Sequence, residues 1–163
     1  MRFIPFALLL LHCITPAAWA HDVRMHFIPD QHAALVASRN AQHMVEFART
    51  ELNLDLDFSD QSIEKIERVS SELRTDLHRE HAALRDVDNL VQMLGSYLGE
   101  VYRRNHGGEW GYASPRGKPM MALKTDADDS LLWPTERIRQ RLKSGTNNNV
   151  WAYYQSRVAL ANN

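Results

Sequence analysis

Two carboxylates bracket a strong helix stop in "YLGEVYRRNHGGEW". Glu100 lies before the glycine pair Gly107-Gly108, and Glu109 directly after it. Carboxyl pairs about 5–9.5 Å apart are what glycosidic hydrolysis uses, one as acid and the other as base or nucleophile. Arg104 offers Glu100 a different fate. It lies four residues on, the favourable order for an ion pair on a helix. Arg103, Arg104 and His106 fall in the last helical turn, where the helix dipole favours cations. Guanidinium groups also recognise carboxylates, so this cluster is a candidate site for an anion or an acidic partner.

Metal chemistry finds weaker footing. His78 and His81 in "HREH" are three apart but lack the HExxH spacing of a zinc peptidase, and no second cluster completes a ligand set. Cleavage after Ala20 would expose the amine and imidazole of His21, which with His26 or His32 make a candidate copper chelate. "DADDS" has the look of a calcium loop, but the position that needs glycine is Leu131 and the one that needs glutamate is Arg137. There is no G-x-S-x-G elbow and no glycine loop opening a helix. No cofactor is expected.

The first twenty residues, "MRFIPFALLLLHCITPAAWA", combine Arg2, an apolar run from Phe6 to Leu11, and Ala18-Trp19-Ala20, the small-x-small pattern of a cleaved signal peptide. The run is shorter than the roughly 20 apolar residues of a membrane helix. Residues 1–20 are thus expected to leave, and with them Cys13 and Arg2. The remaining 143 residues carry 18 Lys and Arg against 20 Asp and Glu, with no cysteine. They suit one domain without disulfides, whose charge balance argues against nucleic acid as a partner.

The elements that would position these residues are mostly helical. Residues 21–30 read as an extended arm. Leu35, Ala37, Ala41, Met44, Val45, Ala48 and Leu52 have helical spacing over 31–52. "LNLDLDF" alternates and suits a short strand or an extended connector. Ser59 reads as an N-cap for a helix with Ile63, Ile66, Val69, Leu73 and Leu77 on its apolar face. After a turn near 79–85, Leu84, Val87, Val91, Leu94, Leu98 and Val101 predict a third helix that stops at Gly107. Glu109 to Thr125 has the composition of a hairpin around "SPRGK". Pro134 opens a helix ending at Gly145, and "TNNN" caps a last one. In that last helix Val150, Trp151, Tyr154 and Val158 form a core stripe, with Tyr153 and Arg157 on a flank. The expected class is α+β, mainly helical, with a small antiparallel hairpin or sheet packed on a central helix.

Gly95 and Gly99 sit one turn apart in the third helix, each costing roughly 1 kcal/mol against alanine. With Tyr102 they border the apolar stripe and leave a notch. The favoured occupant is the hairpin or the Trp110 ring; a ligand is the alternative.

"LGSYLGEVYRRNHGGEW", with "LDFS" before it and "WPTERIRQRLKSG" after it, resembles an uncharacterised bacterial family, domain of unknown function 3806. The resemblance runs from about Leu54 to Tyr154, within a core of 54–161. It implies a small α+β bacterial domain and transfers no catalytic residue.

Together these features point to an exported, non-enzymatic binding or interaction module. It would be periplasmic in a double-membraned cell and secreted otherwise, and would work with a protein partner in the cell envelope, in a protective or inhibitory role among others. Its candidate residues are Gly95, Gly99, Tyr102, Arg103, Arg104, His106 and Trp110. The alternatives are a cell-envelope glycan hydrolase using Glu100 and Glu109, and copper binding through His21, His26 and His32.

Overall fold

The helix that carries the glycine notch is the element on which its neighbours pack. The computed structural model describes residues 25–81 and 83–161. In chain order these form β1 (Phe27–Pro29), α1 (Gln31–Glu51), α2 (Ser62–Arg79), α3 (Asp88–His106), β2 (Glu109–Ala113), β3 (Met120–Lys124), β4 (Leu131–Leu132), α4 (Pro134–Ser144) and α5 (Val150–Ala161). The class is mainly helical α+β, with an antiparallel sheet in the order β1-β2-β3-β4.

α3 buries Val91, Leu94, Tyr97, Leu98, Val101 and Tyr102, and packs against both α1 and α4. α1 begins at Asp30, whose carboxylate accepts the Ala33 N–H at 2.6 Å, a side-chain cap. Its buried face is Ala33, Ala37, Ala41, Met44 and Ala48, four alanines that let two helices approach closely and one methionine that fills the space between them. Leu35 departs from the expected stripe and is 55% exposed. It stands about 200° around the helix from Ala33, so an alanine face turned to α3 sends the leucine to solvent.

α2 starts later than expected. The Asp57 carboxylate accepts both the N–H and the hydroxyl of Ser59, and the Ser59 carbonyl accepts the N–H of Ser62. A local turn has claimed Ser59, and its cap role falls away. The helix opens behind Gln61 with no side-chain cap. "LNLDLDF" is a connector: Asn53 and Phe58 have φ of 49° and 60°, left-handed values that break an extended run. α2 then packs on α4 and α5. Glu67 pins the three together, accepting Arg141 Nε at 2.8 Å with one oxygen and the Val150 N–H at 2.6 Å with the other.

Gly107 stops α3 with φ +80°, its N–H bonded to the Arg103 carbonyl. The hairpin β2–β3 follows, in register from Glu109↔Lys124 to Ala113↔Met120. The expected arm is in part a strand: β1 pairs antiparallel with β2 through Ile28↔Tyr112. β4 joins β3 at Leu123↔Leu132. Trp110, Leu123 and Leu132 share one buried face of the sheet. Pro134 opens α4, and the Asn149 side chain accepts the Ala152 N–H at the start of α5. Among the described residues no helix is long and apolar enough to cross a membrane.

Candidate functional site

The second half of α3 gathers most of the residues singled out for chemistry, and the structure sorts them into two polar clusters and a packing joint.

The joint is the glycine notch. A Cβ built at Gly99 would lie 2.4 Å from the far edge of the Trp110 ring and 3.0 Å from Pro134 Cγ. One at Gly95 would lie 2.5 Å from Thr135 Cα. The Trp110 ring fills the upper half of the notch, as expected; the first turn of α4 fills the lower half, which was not expected. Gly95, Gly99, Tyr102 and Trp110 are all buried, so these four candidates offer no surface to a partner.

The first polar cluster is centred on Glu100, which is 0% exposed. Its carboxylate accepts Arg103 Nε at 2.8 Å, Arg103 Nη2 at 3.1 Å, Arg104 Nε at 3.2 Å and the indole Nε1 of Trp110 at 2.8 Å. Four donors match the roughly four acceptor sites of an ionised carboxylate. Burial pushes the Glu100 carboxyl up. The bonds from Arg103, Trp110 and Arg104 outweigh it and hold the group below its usual range. A general acid needs the opposite shift. Glu109, the intended second carboxylate, is exposed at the start of β2 across from Lys124. Glu100 is therefore saturated by cations and an indole, and Glu109 stands apart in solvent.

Arg103 and Arg104 keep side chains 38% and 35% exposed. Arg104 also lies 3.6 Å over the Phe58 ring, which packs against Tyr97. The Tyr97 hydroxyl accepts the Phe58 N–H at 2.9 Å and bonds the Ser62 hydroxyl. The connector before α2 is thereby fastened to α3.

Asp60 organises the second cluster. One oxygen contacts His106 Nε2 at 2.9 Å; the other accepts Asn105 Nδ2 at 2.9 Å and the Tyr154 hydroxyl. The His106 ring packs against Tyr102 and Tyr154. His106 thus ties the turn before α2, through Asp60, to α3 and α5, and is not an exposed member of a cationic patch. Burial, then the adjacent Asp60, pushes the Tyr154 phenol well above its ordinary range. Tyr154→Phe removes a bond to a charged acceptor. Because Asp60 is half in water, the loss should sit at the low end of about 1.5–3 kcal/mol, read by urea denaturation; a variant as stable as the parent would mean that Asp60 does not hold α5. Asp60 escaped the sequence reading because it lies 46 residues from His106, and no spacing rule spans that distance.

Among the described residues no group of three or more His, Cys, Asp or Glu is placed to hold a metal ion. His26, His32, His78 and His81 are exposed, and His21 lies outside the described residues. The "DADDS" loop is held by its own contacts: Asp128 accepts the Thr125 hydroxyl at 2.6 Å and pairs with Arg157.

The sequence of residues 71–154 matches the family "Domain of unknown function (DUF3806)", more than half of the 163-residue chain. The chain belongs to this family. The DUF3806 match takes in the notch, the Glu100 cluster, the hairpin, α4 and the first turn of α5. It begins inside α2, so "LDFS" and Asp60 fall outside it. No curated protein matches the chain in sequence. A solved structure from Bacteroides thetaiotaomicron VPI-5482 is similar in fold, with TM-score 0.61 and 17% identity over 82% of this chain and 47% of that one. This DUF3806 chain thus spans less than half of that protein's length.

Proposed function

We propose that this DUF3806 protein is an exported, non-enzymatic binding module of the cell envelope that engages a protein or envelope component, in a protective or inhibitory role among others. The leader-like residues 1–20 support export. The observation that carries the non-enzymatic reading is the saturation of Glu100: the carboxylate best placed for acid chemistry is buried, fully hydrogen-bonded and held ionised. Support for binding comes from an aromatic and arginine surface where α4 meets α5, formed by Trp133, Arg137 and Tyr153, the residue types that dominate interface energetics.

The test is incubation of the purified mature chain with peptidoglycan sacculi, alongside Glu100→Gln and Glu109→Gln. No soluble fragments are expected from any of the three. Fragment release by the parent that either variant abolishes would establish the hydrolase instead. Fractionation of expressing cells with N-terminal sequencing checks export, the expected first residue being His21.

A further inference from the structure

A small cavity of about 140 Å³ opens between the first turns of α4 and α5, lined by Trp133, Glu136, Arg137, Gln140 and Tyr153. That is close to the roughly 150 Å³ that accommodates a single six-membered ring. The charged side chains in its walls make few strong contacts with the protein. The Arg137 guanidinium lies 4.4 Å over the Tyr153 ring and donates only to neutral oxygens, Asn148 Oδ1 at 3.3 Å and the Asn149 carbonyl at 3.1 Å. Of its five N–H donors, Nε–H is shut off from solvent with no partner, so it is the Nη groups that would meet a ligand. No carboxylate forms an ion pair with it among the described residues. Among the described residues Glu136 accepts only a long contact from Gln140, at 3.4 Å. Trp133, half-buried, supplies an aromatic wall.

Each candidate ligand class meets this composition differently. A carboxylate ligand would gain from Arg137 and be repelled by Glu136 in the same cavity. A cation would meet the reverse. The two charges cancel, leaving an aromatic face flanked by three planar polar side chains: Arg137 donates, Glu136 accepts and Gln140 does both. That set suits a pyranose. Its C–H face carries positive partial charge and fits the negative face of an indole, while adjacent hydroxyls pair with guanidinium, carboxylate and amide groups.

We infer that this cavity binds one ring of a neutral saccharide, with Trp133 as the stacking wall and Arg137, Glu136 and Gln140 as the hydroxyl partners. The inference rests on the binding-module reading and gives that module a ligand class. It concerns a different face from Glu100, and the ring is held without any bond being broken.

The experiment is titration of the indole-¹⁵N-labelled full mature chain with chitotetraose and, separately, with cellotetraose. The Trp133 signal is assigned by its loss in Trp133→Phe. At least one of the two sugars should move that resonance saturably. Trp133→Ala and Arg137→Ala should each weaken binding about tenfold, the loss of one stacking or charged contact. Either of those changes could disturb folding, so Gln140→Ala, at an exposed position, and the nearly isosteric Glu136→Gln provide independent variants. Each should weaken binding about threefold to fivefold with an unchanged melt, the effect of one hydrogen bond. The absence of a saturable shift with both sugars would overturn the inference. So would a shift indifferent to all four variants, or tighter binding of N-acetylglutamate methylamide than of either sugar. Sacculus digestion by the same preparation would strike the binding-module reading whatever the titration shows. A silent titration with intact sacculi would strike the saccharide site alone.

Discussion

Gly95→Ala should lower stability by about 2 kcal/mol net, or roughly 6–8 °C in melting temperature, although the same change gains up to about 1 kcal/mol in an ordinary helix. The new methyl would sit 2.5 Å from the Cα, 2.6 Å from the Oγ1 and 2.7 Å from the N of Thr135. Two of those atoms are backbone, in the first turn of α4, and that turn is anchored by Pro134, buried beside Gly99. The conflict has to be relieved by moving the helix as a whole. Gly99→Ala meets a side chain instead, the Trp110 ring, but that ring is tethered through Nε1 to Glu100 and does not swing freely. Differential scanning calorimetry of both variants is the measurement. A Gly95→Ala protein that melts at or above the parent temperature would mean that α4 is not seated on α3 as described.

Glu100→Gln should cost about 3 kcal/mol, within the range measured when one partner of a buried ion pair is removed. The amide keeps an acceptor for the Trp110 indole but turns N–H groups toward two guanidiniums. Arg103 and Arg104 are partly in water, which keeps the loss from being larger. The pH dependence follows from the direction of the shift. The folded-state pKa of Glu100 is depressed, so the unfolded chain takes up a proton at higher pH than the folded one. The stabilisation is complete above the ordinary carboxylate range and is lost as pH falls through the lower folded value. The parent should therefore lose stability on acidification more steeply than Glu100→Gln, with the two denaturation curves drawing together in acid. Parallel curves would show that Glu100 is not the acid-sensitive group.

The notch could be read from the sequence because glycine in the middle of an apolar helical stripe has a cost that only close packing offsets. Trp110 followed from its place just beyond the helix stop. The other occupant, Thr135, lies 40 residues from Gly95, and nothing local in "WPTERI" says which helix its first turn will meet. The ion pair of Glu100 with Arg104 was legible as a four-residue spacing, while the indole contact was not, since it depends on the angle at which β2 leaves Gly107. Hydrophobic period misled where side chains were small. Alanines on α1 carry little apolar signal, so Leu35 drew the stripe toward itself, yet helix contact selected the alanines. β1 was invisible because three residues, Phe27 to Pro29, are too few to alternate. Ser59 was misassigned because capping and turn formation use the same hydroxyl and amide, and the choice between them was made by Asp57.

The register of β1 bears on how copies of this protein treat one another. Asp30 N–H bonds the Trp110 carbonyl, and in an antiparallel ladder such mutual bonding alternates. Ile28 therefore turns its polar backbone inward to Tyr112, and Phe27 and Pro29 turn theirs to the outside. Pro29 has no hydrogen to offer there. Among the described residues, an incoming strand from a neighbouring molecule would find at most one donor along β1, whereas the opposite rim keeps the two residues of β4 and the part of β3, Met120 to Ala122, that β4 does not cover. A zipper of sheets through the β1 side would thus stall at its first proline.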